Sequence, residues 1–227
     1  MRKAFKGVKG RVLDIGTGSG GVVREWMKTR GDLELVRVDK EKKKGWQVDV
    51  VADGRDLPMK AEEFDGVMIL DVLEHVERPE KMVKEAVRVF KKGGVLHVTV
   101  PLGGAWWTID WWLRKLFKVD WVKETIGHIN KFELKEVEEM LKTQGLIIEW
   151  KRFSHHWLYQ LGTAVYFWYL SRKPKKELKA KGKYWLPVPG WMRLGIGLFG
   201  WLTVVESLVL SRIPGREVHI TARKMEK

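Results

Sequence analysis

Val12-Leu13-Asp14-Ile15-Gly16-Thr17-Gly18-Ser19-Gly20-Gly21 is an apolar, β-branched run that stops in a glycine-rich turn and opens toward a helical stretch. Glycines in such a turn remove the Cβ barrier, so a ligand can approach the backbone and meet its amide groups. The spacing alone admits two readings. Gly16, Gly18 and Gly21 satisfy GxGxxG, the dinucleotide form, whereas Gly16, Gly18 and Gly20 satisfy the tighter GxGxG form.

Asp14 bears on that choice. A carboxylate two residues before the first glycine would crowd a pyrophosphate with like charge, but it suits the cationic methionine end of S-adenosylmethionine. Nineteen residues past Gly20, Asp39 closes the next strand candidate, just before Lys40, and an acidic side chain there can accept both hydroxyls of a ribose. Asp53, in Ala52-Asp53-Gly54-Arg55, ends a third candidate and is placed to accept from an adenine amino group.

Outward from this stretch, short β-branched runs alternate with helical ones through residue 150, the pattern of parallel βαβ units. Strands are predicted at Arg11–Ile15, Leu33–Val38, Val48–Ala52, Gly66–Leu70 and Val95–Val100. Helices are predicted at Gly21–Thr29, Arg78–Phe90 and Glu133–Thr143, the second stopping at Lys91-Lys92-Gly93-Gly94. Two further strands, Leu146–Arg152 and Glu217–Arg223, enclose the 64 residues Phe153–Arg216, too many for a plain loop.

Taken together these motifs resemble a class I S-adenosylmethionine-dependent methyltransferase, of the broad group that includes ubiquinone-biosynthesis methyltransferases. Phe64-Asp65-Gly66-Val67-Met68-Ile69-Leu70-Asp71-Val72-Leu73-Glu74-His75-Val76 is similar to the family's fourth strand and following loop, and Arg78-Pro79-Glu80 through Gly94 to its next helix. The resemblance covers about two thirds of the chain. It implies an α/β, Rossmann-like sheet, mostly parallel with an antiparallel last strand, spanning 1–152 and 217–227, with 153–216 as a helical insertion. It also implies that Asp14, Gly16, Thr17, Gly18 and Gly20 hold the methionine end and Asp39 with Lys40 the ribose. Asp53 and Gly54 would meet the adenine, and Leu70 would face the cofactor.

Three departures from the family pattern stand out. Only 13 residues separate Asp39 from Asp53, too few for a full crossover helix and strand. Ten residues precede the first strand, leaving no room for the N-terminal helices with which many relatives cover their acceptor. The insertion 153–216 is the third, and it is the expected source of that cover.

Methyl transfer needs its acceptor in line with the sulfonium, so positioning and desolvation supply much of the acceleration, and a base is needed only if the acceptor loses a proton. His75 and His128 are the candidate bases, each balanced by the reading of a histidine that fixes a loop. The chain has no cysteine, which removes disulfides, thiolate metal sites and cysteine nucleophiles, and no metal site is predicted.

The acceptor side is read from composition. Forty-three Lys plus Arg against 29 Asp plus Glu give a formal charge of +14, and residues 151–227 carry 15 basic and 4 acidic side chains, or +11 of it. Of 13 tryptophans, 11 follow Pro101. Trp106–Trp121 mixes aromatic and aliphatic residues with Arg114, Lys115 and Lys118, which predicts an amphipathic helix over an active-site mouth. Phe153–Ser171 and Leu194–Leu210 read as two apolar helices joined by the basic run Arg172–Lys183. In the second, Trp191, Leu194, Leu198, Trp201, Leu202, Val205 and Val209 share one face, and only Glu206 is acidic.

Tryptophan and basic residues together mark membrane interfaces. The expectation is a small, apolar or lipid-like acceptor with membrane-surface contact through 153–216. Helices closing as a lid or pairing across a homodimer are the alternatives. Nucleic acid explains the basic run but not the aliphatic faces, so an RNA or protein methyltransferase, or an inactive cofactor-binding scaffold subunit, stands second. With no apolar run behind the first basic residues, the expected location is cytoplasmic, peripheral to a membrane. Abundant Lys and Glu with one Asn and three Gln fit a heat-adapted protein.

Overall fold

The β-branched runs become strands and the periodic stretches between them become helices. The computed structural model describes residues 3–118, 127–171 and 190–225. In chain order the elements are β1 (Gly10–Ile15), α1 (Gly21–Met27), β2 (Leu33–Asp39), β3 (Val50–Val51), β4 (Phe64–Leu70), α2 (Pro79–Val89) and β5 (Phe90–Pro101). They continue as α3 (Ile109–Phe117), α4 (Leu134–Thr143), β6 (Leu146–Ser154), α5 (Trp157–Ser171), α6 (Gly190–Val209) and β7 (Glu217–Lys224). The chain divides into two units, one of residues 1–100, 134–151 and 219–227, the other of 101–133 and 152–218. The second therefore takes in 101–133, which the sequence pattern groups with the sheet.

In the first unit the seven strands lie in the order β3-β2-β1-β4-β5-β7-β6, parallel from β3 to β5 and antiparallel through β7 and β6. This is the expected α/β architecture. β1 pairs on both sides, Val12 with Leu35 and with Gly66, and its residues Val12, Leu13 and Ile15 are fully or almost fully buried. Apolar residues on successive positions, broken between Val12 and Ile15 only by Asp14, are what a strand covered on both faces requires. On α2, Met82, Val83, Ala86 and Val89 recur at helical spacing and form its buried face, behind Pro79 in the first turn.

Three details differ from the sequence reading. α2 ends at Val89, and Lys91-Lys92-Gly93-Gly94 belongs to β5 rather than to a helix stop. Pairing passes from Phe64 opposite Phe90 to Gly66 opposite Val95, so these residues form a bulge. A Cβ on Gly94 would lie 2.8 Å from the Lys91 carbonyl oxygen, which is why glycine stands there. Second, β3 is only two residues long, and residues 40–49 contain no helix, as the short spacing requires. Asp49 holds that connection, accepting from the Arg37 backbone at 2.9 Å and side chain at 2.8 Å. Third, the segment before β1 contributes to the core: Phe5 is fully buried, 5.4 Å from the Trp26 ring, and a Cβ on Gly66 would meet it at 2.7 Å.

In the second unit α3 packs on α5, and α5 on α6. Polar residues inside these apolar helices serve helix ends. The Gln160 side-chain oxygen accepts the Ile109 amide at 2.8 Å, joining Thr108 in capping α3. The Glu206 carboxylate accepts the Leu158 amide at 3.0 and 3.2 Å, capping α5. Gly162 brings α5 close to α6, since a Cβ there would overlap the Phe199 ring at 2.4 Å.

Glu206 turns inward to α5, and the described part of the predicted apolar face of α6 is left toward solvent. Ser207 is buried while Trp201, Leu202, Val204, Leu208 and Val209 are exposed. The side chains of Trp191, Leu194 and Leu198 lie outside the described residues, as do Trp121 and the basic run Arg172–Lys183. Among the described residues no helix is long and apolar enough to cross a membrane.

Candidate functional site

The sheet order sets the site before any side chain is considered. β3, β2, β1 and β4 are adjacent and parallel, so Asp53, Asp39, the glycine turn and Leu70 all fall at the carboxyl edge of one sheet. At about 4.8 Å between strands, four strand ends extend over roughly 15 Å. Ligands of open α/β sheets bind along this edge.

Gly16, Gly18 and Gly20 have φ of 74°, 52° and 65°, the left-handed region in which glycine is favoured. The Gly16 and Thr17 amides both donate to the Val38 carbonyl, at 2.8 and 3.1 Å, folding the turn back over β2. A Cβ on Gly16 would lie 2.5 Å from Val72 Cγ2, so the turn sits directly on Val72, two residues past the end of β4. The Gly18 amide donates to Asp39 Oδ2 at 2.9 Å, while Asp39 Oδ1 accepts from the Glu41 amide at 3.1 Å. The turn and Asp39, 19 residues apart in sequence from Gly20, are thus brought into contact. Lys40 beside them is exposed.

Beneath the turn, Asp14 is 2% exposed and its Oδ2 has no hydrogen-bond partner. Burial pushes its carboxyl up to about 6; the Thr17 hydroxyl and the Arg37 charge offset this only in part, and Asp39 adds to it. Thr17 Oγ1 is itself buried without meeting hydrogen-bond geometry to any described group. Two orphaned polar atoms under one glycine turn are an unusual cost, since each buried unsatisfied group loses about 1–3 kcal/mol. A ligand bearing an ammonium group fits this donor set, because it supplies the missing charge and donors together.

Asp53 is held differently. Its Oδ1 accepts the Arg55 amide and Nε, both at 2.9 Å, and its Oδ2 accepts Arg55 Nη2 at 2.6 Å. That side-chain and backbone hydrogen bonding brings its carboxyl down to about 2. An adenine amino group would share Asp53 with Arg55. Gly54 is buried, and a Cβ there would lie 2.7 Å from both Ile15 Cγ2 and Met82 Cε, so glycine lets this loop rest on β1 and α2. Leu70 is half-buried at the end of β4.

One residue at this edge has no role in the sequence reading. Asp71 follows β4 with φ of 52°; its amide donates to the Thr99 carbonyl at 3.1 Å and hydroxyl at 3.0 Å, and the hydroxyl donates back to its carboxylate at 3.0 Å. Its signal in the sequence is only that an Asp ends an apolar run. His75 lies exposed in the 3-10 turn Leu73–His75, 3.9 Å from the carboxylate of the buried Glu74. His128 belongs to the second unit, half-buried and outside any helix or strand.

Residues 13–98 match the family described as methyltransferase domain. An uncharacterized protein of Methanocaldococcus jannaschii is 37% identical over 139 residues, covering 60% of this chain and 64% of that protein. The ubiquinone/menaquinone biosynthesis C-methyltransferase of Rhizobium meliloti is 34% identical over 103 residues, covering 39% of this chain and 40% of its own length. This chain therefore spans less than two thirds of either relative. In fold it is similar to a proposed methyltransferase of Bacillus halodurans, with a TM-score of 0.61 at 20% identity, over 95% of this chain and 93% of that one.

Proposed function

Because the chain carries a class I S-adenosylmethionine-dependent methyltransferase domain, we propose that it binds this cofactor along the carboxyl edge of β3, β2, β1 and β4 and transfers its methyl group to a small apolar acceptor. The observation that carries the reading is the buried Asp14 carboxylate, with Oδ2 unpartnered beneath the Gly16–Gly20 turn. Asp14 and Thr17 hold the ammonium end, the glycines at 16, 18 and 20 let the methionine portion lie close over the turn, and Asp39 holds the ribose hydroxyls. Asp53 and Gly54 bound the adenine. The cofactor supplies an electrophilic methyl group; the chain orients it and excludes water.

Neither His75 nor His128 is assigned as a base, for neither stands on geometry that requires it. Displacement in line needs none if the acceptor already carries a nucleophilic lone pair or anion.

The apolar acceptor rests on the second unit and on one relative. The Rhizobium meliloti protein is named as a C-methyltransferase of ubiquinone and menaquinone biosynthesis. Each of the three packed helices also carries an exposed apolar stripe at helical spacing: Trp112 and Leu116 on α3, Trp157, Leu161 and Val165 on α5, Trp201, Val204 and Leu208 on α6. Apolar surface of this kind is usually covered by a partner. With the basic surplus of residues 151–227, a membrane surface bearing anionic lipid is the partner that suits it.

Calorimetric titration with S-adenosylhomocysteine tests the cofactor half, with Asp39→Ala expected to weaken binding at least tenfold. Absence of binding to the intact chain overturns it. Vesicle flotation tests the membrane half: association with phosphatidylglycerol vesicles is expected, and loss of it in Trp157→Ser/Trp201→Ser. Recovery of all the protein in the unbound fraction overturns it. Labelled products from cell extract incubated with methyl-tritiated cofactor identify the acceptor.

A further inference from the structure

At the amino edge of the sheet in the first unit, opposite the glycine turn, a cavity of about 370 Å³ opens among Lys6, Lys9, Asp65, Lys91, Lys92 and Arg223, over the glycines at 7, 93 and 94. β1 runs from this edge to the other over six residues, so the two sites are separated by about 20 Å. The cavity is therefore independent of the proposed cofactor site.

Its charge is unbalanced. Five cationic side chains line it against one carboxylate, and that carboxylate is already engaged: Asp65 accepts Lys91 Nζ at 2.8 Å and the Arg11 amide at 2.9 Å. Arg223 is oriented by Glu149 at 2.6 Å and by the Gly93 carbonyl at 2.5 Å. Lys6, Lys9 and Lys92 make no ion pair among the described residues. The charge of Lys9 reaches Asp32, but that carboxylate is taken by Arg30 at 2.7 Å. Three uncompensated ammonium groups around one concavity concentrate positive potential there.

The walls are built to stay open. Gly7 and Gly93 have φ of 82° and 71°, which disfavours any side chain, and Gly94 has no room for a Cβ. The β5 bulge carries Lys91 and Lys92 to the rim, so the residues that depart from a plain helix stop are the ones that shape this cavity. Its volume lies at the lower end of the small-molecule range, larger than a bare phosphate ion needs.

We propose that this cavity binds the phosphate group of a small phosphomonoester, with Lys6, Lys9 and Lys92 as its charge partners. Ammonium groups donating to phosphate oxygens make short, charge-assisted hydrogen bonds, and three of them provide one for each terminal oxygen of a monoester while outweighing its double negative charge. The carrier can be a free metabolite or the headgroup of a phosphatidic-acid-like lipid, and the chemistry at the cavity is the same.

Titration of the full chain with inorganic phosphate and with glycerol 3-phosphate, and flotation with phosphatidic acid vesicles, test the proposal. The same assays on Lys9→Ala/Lys92→Ala and on Lys92→Glu supply the comparison, with circular dichroism melts to show that both remain folded. Saturable glycerol 3-phosphate binding, weakened at least tenfold in both variants and by raised salt, supports it with a free ligand. Vesicle binding that falls in both variants, without binding of the free compound, supports it with a lipid headgroup. Binding that is unchanged in the folded variants, or no binding in any arm at millimolar ligand, overturns it.

Discussion

The carboxylate of Glu206 lies 3.0 Å from the backbone amide of Leu158. It is the one charged residue of α6 after Arg193, and it reaches across to the first turn of α5, where backbone amides have no partner of their own. A charge within an apolar helix is thus explained by the end of its neighbour.

Glu206→Ala removes this cap and is expected to destabilise the second unit by about 1–2 kcal/mol, as loss of a side-chain cap does elsewhere. Glu206→Gln, which retains an acceptor but not the charge, should recover part of it. Urea denaturation followed by tryptophan fluorescence measures both, and equal stability of all three proteins would show the contact to be inert.

Asp14→Asn separates stability from binding. Burial raises this carboxyl from 3.8 to about 6, a penalty on the ionised form of about 3 kcal/mol at most. Above pH 6 the Asn variant should therefore melt higher than the parent in the absence of cofactor, and bind S-adenosylhomocysteine at least tenfold more weakly. A variant that melts lower and binds normally contradicts the assignment.

The same group sets a pH dependence. Its folded value is raised, so the folded protein holds that proton more tightly than the unfolded chain does. The resulting stabilisation is complete below about pH 4 and is lost as pH rises through 6. Ligand affinity should run the other way, rising through the same window as Asp14 ionises. Melts and titrations at pH 5, 6 and 7 (about one unit apart, to bracket the transition) distinguish this from a flat profile, which Asp14→Asn is expected to show.

Arg55→Ala frees Asp53. Its carboxyl, brought down to about 2 by Arg55, should return toward the ordinary carboxylate range; the variant then lacks the stability this carboxylate gives the parent above that range, and also the part of the parent's loss of stability that occurs as pH falls toward 2. S-adenosylhomocysteine should bind at least as tightly, because adenine no longer shares the acceptor, whereas Asp53→Ala weakens binding. Weaker binding in Arg55→Ala would assign the contact to Arg55 instead.

Gly16→Ala places a methyl group 2.5 Å from Val72 Cγ2 at a φ of 74°. The left-handed backbone and the overlap together should cost about 1–3 kcal/mol and displace the turn. Val72→Ala in the same chain should restore part of the stability, since it relieves the overlap and not the backbone term. A double variant no better than the single one would place the whole cost in the backbone.

Much of the sheet was legible because its signals are local. β1, β4 and the buried face of α2 follow from apolar runs and helical spacing, and the missing helix after Asp39 follows from a count of residues. Lys91 to Gly94 misled because basic residues before glycines suit a helix end and a β-bulge equally; pairing with Phe64 and Gly66 chose the bulge. The apolar face of α6 was legible from its spacing, but what its inner side packs on was not, because periodicity does not name a partner; the hydrogen bond from Leu158 to Glu206 does.

By itself the sequence determined the fold class and the residues of the glycine turn, since strand alternation, helix period and glycine spacing act over a few neighbours along the chain. Only the tertiary structure decided that Gly18 donates to Asp39, that Asp14 is buried with an oxygen unpartnered, that Asp53 pairs with Arg55, and that Lys6, Lys9 and Lys92 line one cavity. Burial, charge compensation and hydrogen-bond partnership depend on groups far apart in the chain, and they acquire values only when strand order brings those groups together.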